Sequence, residues 1–337
     1  MYSFKNDYSE GMHINILNRL HETNMVQAEG YTEDMYTENA VKRIKEFTGD
    51  HVDVHLISGG TQTNLLAISS FLRPHEACIS ADSGHINVHE TGAIEATGHK
   101  VITVTSDDGK VKPHQVIDQV KYHADEHMVK PRLVYISNPT EVGTTYSKEE
   151  LTALNKVCKD NDLLLYLDGA RLATAIVSSD VTLKDLAELT DAFFIGGTKN
   201  GAILGEAFII SNPNLKRDMR YLIKQRGALL AKGRLLGIQF DELFKDELIF
   251  KLAAYANQEA MRMKEAFIQA GHKLYTDSNT NQIFPILNMT LIKKLEEHFS
   301  FYIWDQIDED YAAIRLVTSW ATDQSQVDKL IEIIKEG

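Results

Sequence analysis

The sequence predicts an α/β protein: a mainly parallel β-sheet with helices on both faces, followed by a smaller C-terminal α+β domain. From about residue 50, short apolar runs alternate with stretches of helical periodicity such as Lys148–Lys159, a pattern typical of crossover connections between parallel strands. After about Asn214, long helical segments predominate, including Ala253–Ala270. A chain of 337 residues is also too long for one hydrophobic core, so we expect two unequal domains.

The strands are predicted from apolar runs of four to six residues, a length that fits buried strands. In the large domain they are Val54–Ser58, Ala77–Ala81, Val101–Thr105, Arg132–Ser137, Leu163–Leu167, Ala192–Ile195 and Ala207–Ile210. In the C-terminal domain they are Gln282–Leu287, Ser300–Trp304 and Ala313–Thr318, followed by a helix at Gln324–Lys335. We therefore expect an N-terminal arm and helix over residues 1–45, a large domain over 46–244 and a small domain over 245–337.

The composition excludes several classes of function. A formal net charge of −13 argues against a nucleic-acid partner, which would require clustered cations. Cys78 and Cys158 are the only cysteines, too few for a disulfide framework, so we expect a reducing, cytoplasmic environment. The N-terminus lacks the apolar stretch of a signal peptide, and no run of 18 apolar residues occurs, so we expect no membrane association. With nucleic acid and membrane set aside, we expect a small-molecule partner.

Polar residues follow four of the predicted strands, at the edge where ligands bind to an open parallel sheet. The first group is Ser58–Asn64, in which Gly60 and Thr61 precede a predicted helix at Leu65–Phe71. Glycines allow a ligand to approach the backbone closely, and a helix start offers free N–H groups to a phosphate. The same pattern occurs in ordinary turns, so both interpretations stand at this point.

The second and third groups are Asp168 with Arg171, and Lys199 after Gly196-Gly197-Thr198. Asp168 and Arg171 could form a structural helix cap and ion pair. Alternatively, Asp168 could be a carboxylate that pairs with a protonated heterocycle. Lys199 has apolar segments on both sides, which disfavours a solvated lysine at a loop tip. A desolvated lysine has a lowered pKa and can act as a Schiff-base nucleophile.

The fourth group contains two histidines, His85 and His89, one helical turn apart. This spacing also occurs in zinc sites, but no third ligand is evident in the sequence, so we expect no metal. An imidazole that stacks on an aromatic cofactor is the alternative interpretation of His85.

In this order along the chain, the motifs resemble those of the threonine aldolase family of fold-type-I pyridoxal-phosphate enzymes, which also includes β-eliminating lyases such as tryptophanase. The likeness extends over nearly the whole chain and is most specific at Leu167–Leu172 and Lys199. It implies an aspartate-aminotransferase-like fold and pyridoxal 5′-phosphate as the cofactor.

The resemblance implies roles for the matching residues. Lys199 is expected to hold the cofactor covalently, and Asp168 to pair with its pyridine nitrogen. Further cofactor contacts are expected from Gly60, Thr61, His85, Asn138, Arg171 and Thr198. Substrate contacts are expected from Asn6, His85, Arg171 and Arg315, with Arg315 binding the carboxylate. His127 is similar to a second histidine that assists near the substrate hydroxyl.

The sequence departs from the family pattern in three places. Lys5-Asn6-Asp7-Tyr8 stands where the family has Arg-Ser-Asp-Thr, and Thr198 stands where it has a serine. The glycine-rich run of the family is replaced by Gln225–Arg234. We expect Lys224 and Arg234, the two ends of the basic segment Lys224–Arg234, to reach the cofactor phosphate across the interface of a homodimer or homotetramer.

The predicted reaction is retro-aldol cleavage of a β-hydroxy-α-amino acid such as threonine into glycine and an aldehyde. A base, either His85, His127 or a water molecule, would take the hydroxyl proton. The same residues could support β-elimination from serine, cysteine or an aromatic amino acid, and, less readily, transamination. A non-catalytic protein on this fold is the alternative from another class, which the combination of lysine, aspartate and arginine disfavours.

Overall fold

In the computed structural model, which describes residues 1–336, a seven-stranded sheet lies at the centre of the larger part of the molecule. The β-strands of the chain are β1 (Tyr2–Ser3), β2 (Asp53–Ile57), β3 (Glu76–Ala81), β4 (Val101–Val104), β5 (Lys130–Ser137), β6 (Leu164–Asp168), β7 (Ala192–Gly196), β8 (Glu206–Ile210), β9 (Lys273–Leu274), β10 (Gln282–Ile283), β11 (Pro285–Asn288), β12 (Phe299–Ser300), β13 (Tyr302–Gln306) and β14 (Tyr311–Val317). The α-helices are α1 (Ile14–Thr23), α2 (Met35–Thr48), α3 (Gly60–Phe71), α4 (His85–Val88), α5 (Pro113–Tyr122), α6 (Lys148–Asp160), α7 (Leu172–Ile176), α8 (Leu183–Leu189), α9 (Met219–Gln225), α10 (Arg234–Phe244), α11 (Leu248–Gln269), α12 (Met289–Glu296) and α13 (Gln324–Glu336).

The strand order of the large sheet is β2-β8-β7-β6-β5-β3-β4. Strands β3 to β7 are parallel to one another, whereas β8 is antiparallel to both of its neighbours. Strand β2 therefore runs in the direction of β7, and its carboxyl end lies at the same edge as those of β6 and β7. The amino end of β8 lies there as well. The predicted, mainly parallel sheet is confirmed, with each of its strands within two residues of the predicted bounds.

Both faces of the sheet are covered by apolar side chains. Successive residues of a strand face opposite sides, and in β6 Leu165 and Leu167 belong to the core on one face, whereas Leu164 and Tyr166 belong to the core on the other. Burial of one large apolar side chain contributes about 1.5–3 kcal/mol. Strands buried on both faces read as continuous apolar runs, which explains why they could be recognised in the sequence.

Helix α3 begins earlier than predicted, at Gly60 rather than Leu65. The carbonyl of Gly59 accepts a hydrogen bond from the Thr63 N–H at 3.0 Å, so the Gly-Gly-Thr turn is itself the start of the helix. The first N–H groups of a helix have no partner within it. Those of α3 point towards the sheet edge at which β2 ends.

The C-terminal region forms a second sheet, in the order β10-β14-β11-β9, with β13 also paired to β14. Two strands that were predicted as continuous are each divided into two. The predicted strand Gln282–Leu287 corresponds to β10 and β11, and the predicted strand Ser300–Trp304 corresponds to β12 and β13. Pro285 begins β11 and has no N–H to donate to a ladder. Phe4 belongs to the core of this region, because β1 pairs with β12. The predicted division of the chain into three segments stays a prediction.

Among residues 1–336, no helix combines the length and apolar character that crossing a membrane requires.

Candidate active site

A pocket of about 350 Å³ opens at the edge where β2, β6 and β7 end and β8 begins. It is lined by residues from each of these strand ends and from α3 and α4: Tyr8, Ser58, Gly59, Gly60, Thr61, Asn64, His85, Asp168, Ala170, Thr198, Lys199, Leu204 and Glu206. Six of the residues predicted from the sequence are therefore together in one pocket: Gly60, Thr61, His85, Asp168, Thr198 and Lys199.

Lys199 lies in the loop that follows β7, where it lines this pocket and is half-buried. Burial lowers the pKa of its amine, and the neighbouring Arg171 lowers it further, whereas Asp7 and Asp168 oppose the shift. The backbone before it is packed closely: a Cβ at Gly196 would lie 2.2 Å from the carbonyl oxygen of Ala170. Only glycine fits there, which fixes the path that brings the lysine to the strand end.

Asp168 ends β6 and is held by three hydrogen-bond donors. Its Oδ2 accepts from Asn64 Nδ2 at 2.8 Å and from the Tyr135 hydroxyl at 2.7 Å. Its Oδ1 accepts from the Ala170 N–H at 3.0 Å. The carboxylate is 5% exposed, and these bonds fix its orientation within the pocket.

A closed ring of hydrogen bonds connects Asp168 to His85. Asn64 Nδ2 also donates to Glu90 Oε1 at 2.7 Å, and Glu90 Oε1 lies 2.7 Å from His85 Nδ1. On the other side, the His85 N–H donates to Glu141 Oε1 at 3.0 Å. The ring closes through Ser137, whose hydroxyl lies 2.7 Å from Glu141 Oε1 and 3.3 Å from the Tyr135 hydroxyl.

Within this ring, Glu90 and Glu141 were not predicted from the sequence. His85, Glu90 and Asp168 have ligand atoms close enough to hold a metal ion, but these atoms are already hydrogen-bonded to one another or to Asn64. We therefore interpret the group as part of the hydrogen-bond network. Burial raises the pKa of the Glu141 carboxyl, so this carboxyl group beside His85 binds a proton more readily than a solvated glutamate does.

The pKa values of the two neighbouring histidines, His85 and His89, are shifted in opposite directions. Burial lowers the pKa of His85, but the hydrogen bond to Glu90 and the charge of Asp168 outweigh it and raise the pKa. Burial and the neighbouring His85 lower the pKa of His89. The centroids of the two rings are 5.4 Å apart, and His85 binds a proton more readily than His89 does.

Two arginines lie near the pocket, outside the set of described residues that line it, and differ in their hydrogen bonds. Arg171 donates to Asp7 through Nε at 2.6 Å and Nη2 at 3.0 Å, so the N-terminal segment holds its guanidinium in place. Arg315 donates through Nη2 to the Lys5 carbonyl at 3.3 Å, and its buried Nε has no partner among the described residues. Burial and the nearby Arg171 lower the pKa of Arg315. An incompletely bonded cation of this kind suits an anionic ligand.

Asn138 and Asn6 are close to the pocket but differ in availability. Asn138 follows β5 and is fully buried; its Oδ1 accepts from the Tyr146 N–H at 3.2 Å, and its Nδ2 has no partner among residues 1–336. Asn6 Oδ1 accepts from the Tyr8 N–H and the Ser9 hydroxyl, so it is used in a local turn. The adjacent Tyr8 lines the pocket, which the sequence analysis did not predict.

Three predicted residues lie outside the pocket of their own chain. His127 is exposed and precedes β5 by three residues. At about 3.3 Å per residue, the strand separates His127 from the pocket edge by roughly 25 Å. The Arg234 guanidinium donates to the Val26 and Thr23 carbonyls at 2.5 and 2.8 Å, and Lys224 lies over the Tyr31 ring at 4.5 Å. Within one chain these side chains are therefore not available to a ligand in the pocket.

The chain was compared with proteins of known family, sequence and structure. The model of the β-eliminating lyase family matches residues 15–290. A low-specificity L-threonine aldolase from a Pseudomonas species is 31% identical over 314 residues, which are 90% of this chain and 89% of that one. A structure of a threonine aldolase from Leishmania major is 49% identical, with a TM-score of 0.98, and the match covers 100% of this chain and 99% of that one.

The fold also occurs among aminotransferases. An aspartate aminotransferase from Thermus thermophilus superposes with a TM-score of 0.72 at 12% identity, covering 100% of this chain and 91% of that one. At that identity the likeness concerns the fold alone, and it confirms the predicted aspartate-aminotransferase-like architecture.

Proposed function

The chain belongs to the β-eliminating lyase family, and on that premise we propose that it is a pyridoxal-phosphate-dependent lyase that cleaves a β-hydroxy-α-amino acid of the L-threonine or L-allo-threonine type into glycine and an aldehyde. The observation that carries the proposal is that Lys199 and Asp168 line one pocket beside the start of α3. An amine of lowered pKa and a fixed carboxylate are the two groups that this cofactor requires.

The pocket fits pyridoxal phosphate in ways that do not depend on its relatives. The start of α3 offers N–H groups to a phosphate, and a Cβ built on Gly59 meets no atom within 4 Å, which leaves room beside that helix start. The buried Nδ2 of Asn138 lacks a partner, as expected of a donor that meets a ligand oxygen.

We assign the predicted contacts accordingly. Gly60, Thr61 and Thr198 would hold the phosphate, and Asp168 the pyridine nitrogen. Asn138 and Arg171 would meet the phenolic oxygen, and His85 would stack on the ring. When bound, pyridoxal phosphate supplies an electron-accepting ring that stabilises the negative charge left on the substrate α-carbon.

The residues of the chain contribute binding and proton transfer. Lys199 has a lowered pKa, so it gives up its proton to become a nucleophilic amine more readily than a solvated lysine does. Arg315 binds the substrate carboxylate and thereby decides which bond at the α-carbon is aligned for cleavage. As the Cα–Cβ bond breaks, the hydroxyl proton passes to a base. His85, His127 and water were the predicted bases, and the structure adds His89 and Glu141 beside His85.

The proposed reaction is tested by supplying the purified protein, loaded with pyridoxal phosphate, with three substrates in turn. L-Threonine should yield glycine and acetaldehyde in equal amounts. L-Cysteine should yield little pyruvate and ammonia, and an amino acid supplied with a keto acid should yield little new amino acid. Pyruvate as the main product would replace the proposal with β-elimination, and rapid amino-group transfer would replace it with transamination.

Substitution of Arg315 by lysine should raise the KM for L-threonine by about ten- to a hundredfold, the cost of about 1.5–3 kcal/mol for a lost charged hydrogen bond. Lysine keeps the charge but lacks the planar fork that binds a carboxylate through two bonds. The affinity for pyridoxal phosphate, measured by absorbance titration, should change less than threefold. Equal losses in both quantities would show that Arg315 supports the fold rather than the substrate.

We further propose that the protein is a homodimer or homotetramer, because His127, Lys224 and Arg234 can serve a pocket only in another copy. The surface near Lys224 supports this assembly: Tyr221 is 78% exposed and lines one groove with Lys224. Light scattering at assay concentration should therefore give at least a dimer. A fully active monomer would contradict the proposal.

A mixing experiment tests the shared pocket directly. Chains carrying His127→Ala or Lys199→Ala should each be impaired, and co-expression of the two should restore activity, because some pockets then combine an intact Lys199 with an intact His127. No recovery in mixed oligomers of confirmed composition would assign His127 a role outside the pocket.

The free cysteines support a cytoplasmic location, which we also propose. Cys78 and Cys158 are buried and unpaired, and burial raises the pKa of each thiol to about 12. Such thiols are unreactive, and a reducing compartment keeps them so. Fractionation of the source cells that found the protein outside the cytoplasm would overturn this.

A further inference from the structure

Glu206 is a buried carboxyl group in the pocket to which the proposed function gives no role. It is the first residue of β8 and is 4% exposed. Its Oε1 accepts from the Thr198 hydroxyl at 3.0 Å, and its Oε2 accepts from the Gly197 N–H at 3.2 Å. Glu206 therefore contacts the loop that leads to Lys199.

The same carboxyl group lies at the phosphate end of the pocket. Glu206, Thr198, Gly60 and Thr61 line the pocket together, and β8 pairs with β2, the strand that leads into α3, so that Glu206 is the register partner of Ile57. An anion at the start of α3 would share this end of the pocket with the carboxyl group.

The hydrogen bonds of Thr198 create a conflict when an anion is present. The Thr198 hydroxyl accepts from the Gly205 N–H at 3.0 Å and donates its one hydrogen to Glu206. If that hydrogen turned to a phosphate oxygen, the Thr198 oxygen and an ionised Glu206 would face each other without a proton between them. A proton on Glu206 removes the conflict, because the carboxyl group then donates to Thr198 and Thr198 donates to the phosphate.

Electrostatics favour the same protonation. A carboxylate and a phosphate dianion buried at one end of a pocket repel each other, and burial disfavours both charges. Burial raises the pKa of Glu206 to about 8 in the free protein, with Lys199 opposing the shift and Asp168 adding to it. The charges of Lys199 and Asp168 act on the pKa of Glu206, and the charge of Glu206 in turn raises the pKa of Tyr166. An added dianion can only raise this pKa further.

We propose that Glu206 is protonated while the phosphate of the cofactor is bound, and that it then holds Thr198 in the orientation in which its hydroxyl donates to that phosphate. Where Glu206 is ionised in the free protein, the proton comes from solvent when the anion binds and returns to solvent when the anion leaves. The inference rests on the proposed function, since it assumes a phosphorylated cofactor in this pocket.

The proposal fixes a direction for the pH dependence of phosphate binding. Below about pH 7 Glu206 is protonated in both states, so binding takes up no proton. By about pH 9.5 the free protein has lost nearly all of this proton and the complex keeps it, so binding takes up nearly one proton. The dissociation constant should then rise by about tenfold between pH 8 and pH 9.5.

The test uses pyridoxine 5′-phosphate, whose alcohol cannot form a covalent bond with Lys199. Calorimetric titrations at pH 8.5 in two buffers of different ionisation enthalpy give the number of protons taken up per ligand. Wild type should take up about 0.7 proton more than Glu206→Gln. Any proton that the ligand itself binds or releases is common to both proteins and cancels in the difference. Pyridoxine, which lacks the phosphate, should show no difference between them.

Glu141→Gln is the matched control, because it removes another buried carboxyl group that is bonded to Ser137 and His85 rather than to Thr198. It should keep the phosphate-dependent proton uptake. Equal uptake in wild type and Glu206→Gln would overturn the proposal. If the glutamine variant does not fold, wild type alone decides, since equal uptake with pyridoxine and its phosphate overturns the proposal too. Failure of pyridoxal phosphate to bind at all would instead overturn the proposed function.

Discussion

Replacement of Lys199 by alanine is expected to lower the turnover of L-threonine by at least about a thousandfold, because Lys199 is the one lysine among the described residues that line the pocket. The methyl group of alanine provides neither a nucleophile nor a covalent bond to the cofactor. The protein should still fold, since Lys199 lies in a loop beyond the end of β7 and its burial as a charge opposes folding.

Borohydride reduction followed by peptide mapping provides the measurement. Wild type should carry the reduced pyridoxyl group on Lys199, and the alanine variant should carry none. Lys110→Ala is the control, because Lys110 is also shielded but pairs with Glu150, away from the pocket; it should keep both the label and the activity. A label on another lysine in wild type would remove Lys199 from its proposed role.

The position of Lys199 could be predicted because two physical regularities coincide there. The strands of a sheet that is covered on both faces are apolar throughout, so their ends are visible in the sequence. Parallel strands also bring their carboxyl ends to one edge, so polar residues that follow different strands meet. This argument placed the start of α3 at the same sheet edge as Asp168 and Lys199, although Gly60 lies more than a hundred residues before either of them.

The buried acids could not be predicted in the same way. The chain contains 48 aspartates and glutamates, and acidic residues are mostly exposed, so nothing in the sequence alone marks Glu90 or Glu141 as buried. Their burial depends on packing between distant segments. Glu206 did carry a signal: it stands between Gly205 and the apolar run Ala207–Ile210, and a carboxylate at the start of a buried strand requires a partner.

Residues whose role depends on assembly form a third class. The basic character of Gln225–Arg234 suggested a phosphate contact, but in one chain Arg234 binds the carbonyls of Thr23 and Val26. A sequence reveals the charge of a segment and not which surface receives it. His127 belongs to the same class, because it lies before the start of β5, at the end of that strand that is far from the pocket of its own chain.

Substitution of Asp168 by asparagine is expected to lower the turnover of L-threonine by about 10²- to 10⁴-fold, while the cofactor remains attached to Lys199. The estimate follows from about 3–5 kcal/mol for removing one partner of a buried ion pair. A neutral amide cannot keep the pyridine nitrogen protonated, so the electron-accepting capacity of the ring is lost. Peptide mapping after borohydride reduction should still find Lys199 labelled.

A second variant separates the charge of Asp168 from its place in the hydrogen-bond ring. Asparagine has one acceptor oxygen where aspartate uses two, so Asp168→Asn also disturbs the bonds from Asn64, Tyr135 and Ala170. Tyr135→Phe removes one donor to Asp168 and keeps the charge. Because one hydrogen bond to a charged group contributes about 1.5–3 kcal/mol, this variant should lose about ten- to a hundredfold, less than the asparagine variant. Equal losses of turnover in the two variants would show that turnover requires the ring of hydrogen bonds rather than the charge of Asp168. Near-normal turnover in Asp168→Asn would leave Asp168 with a structural role only.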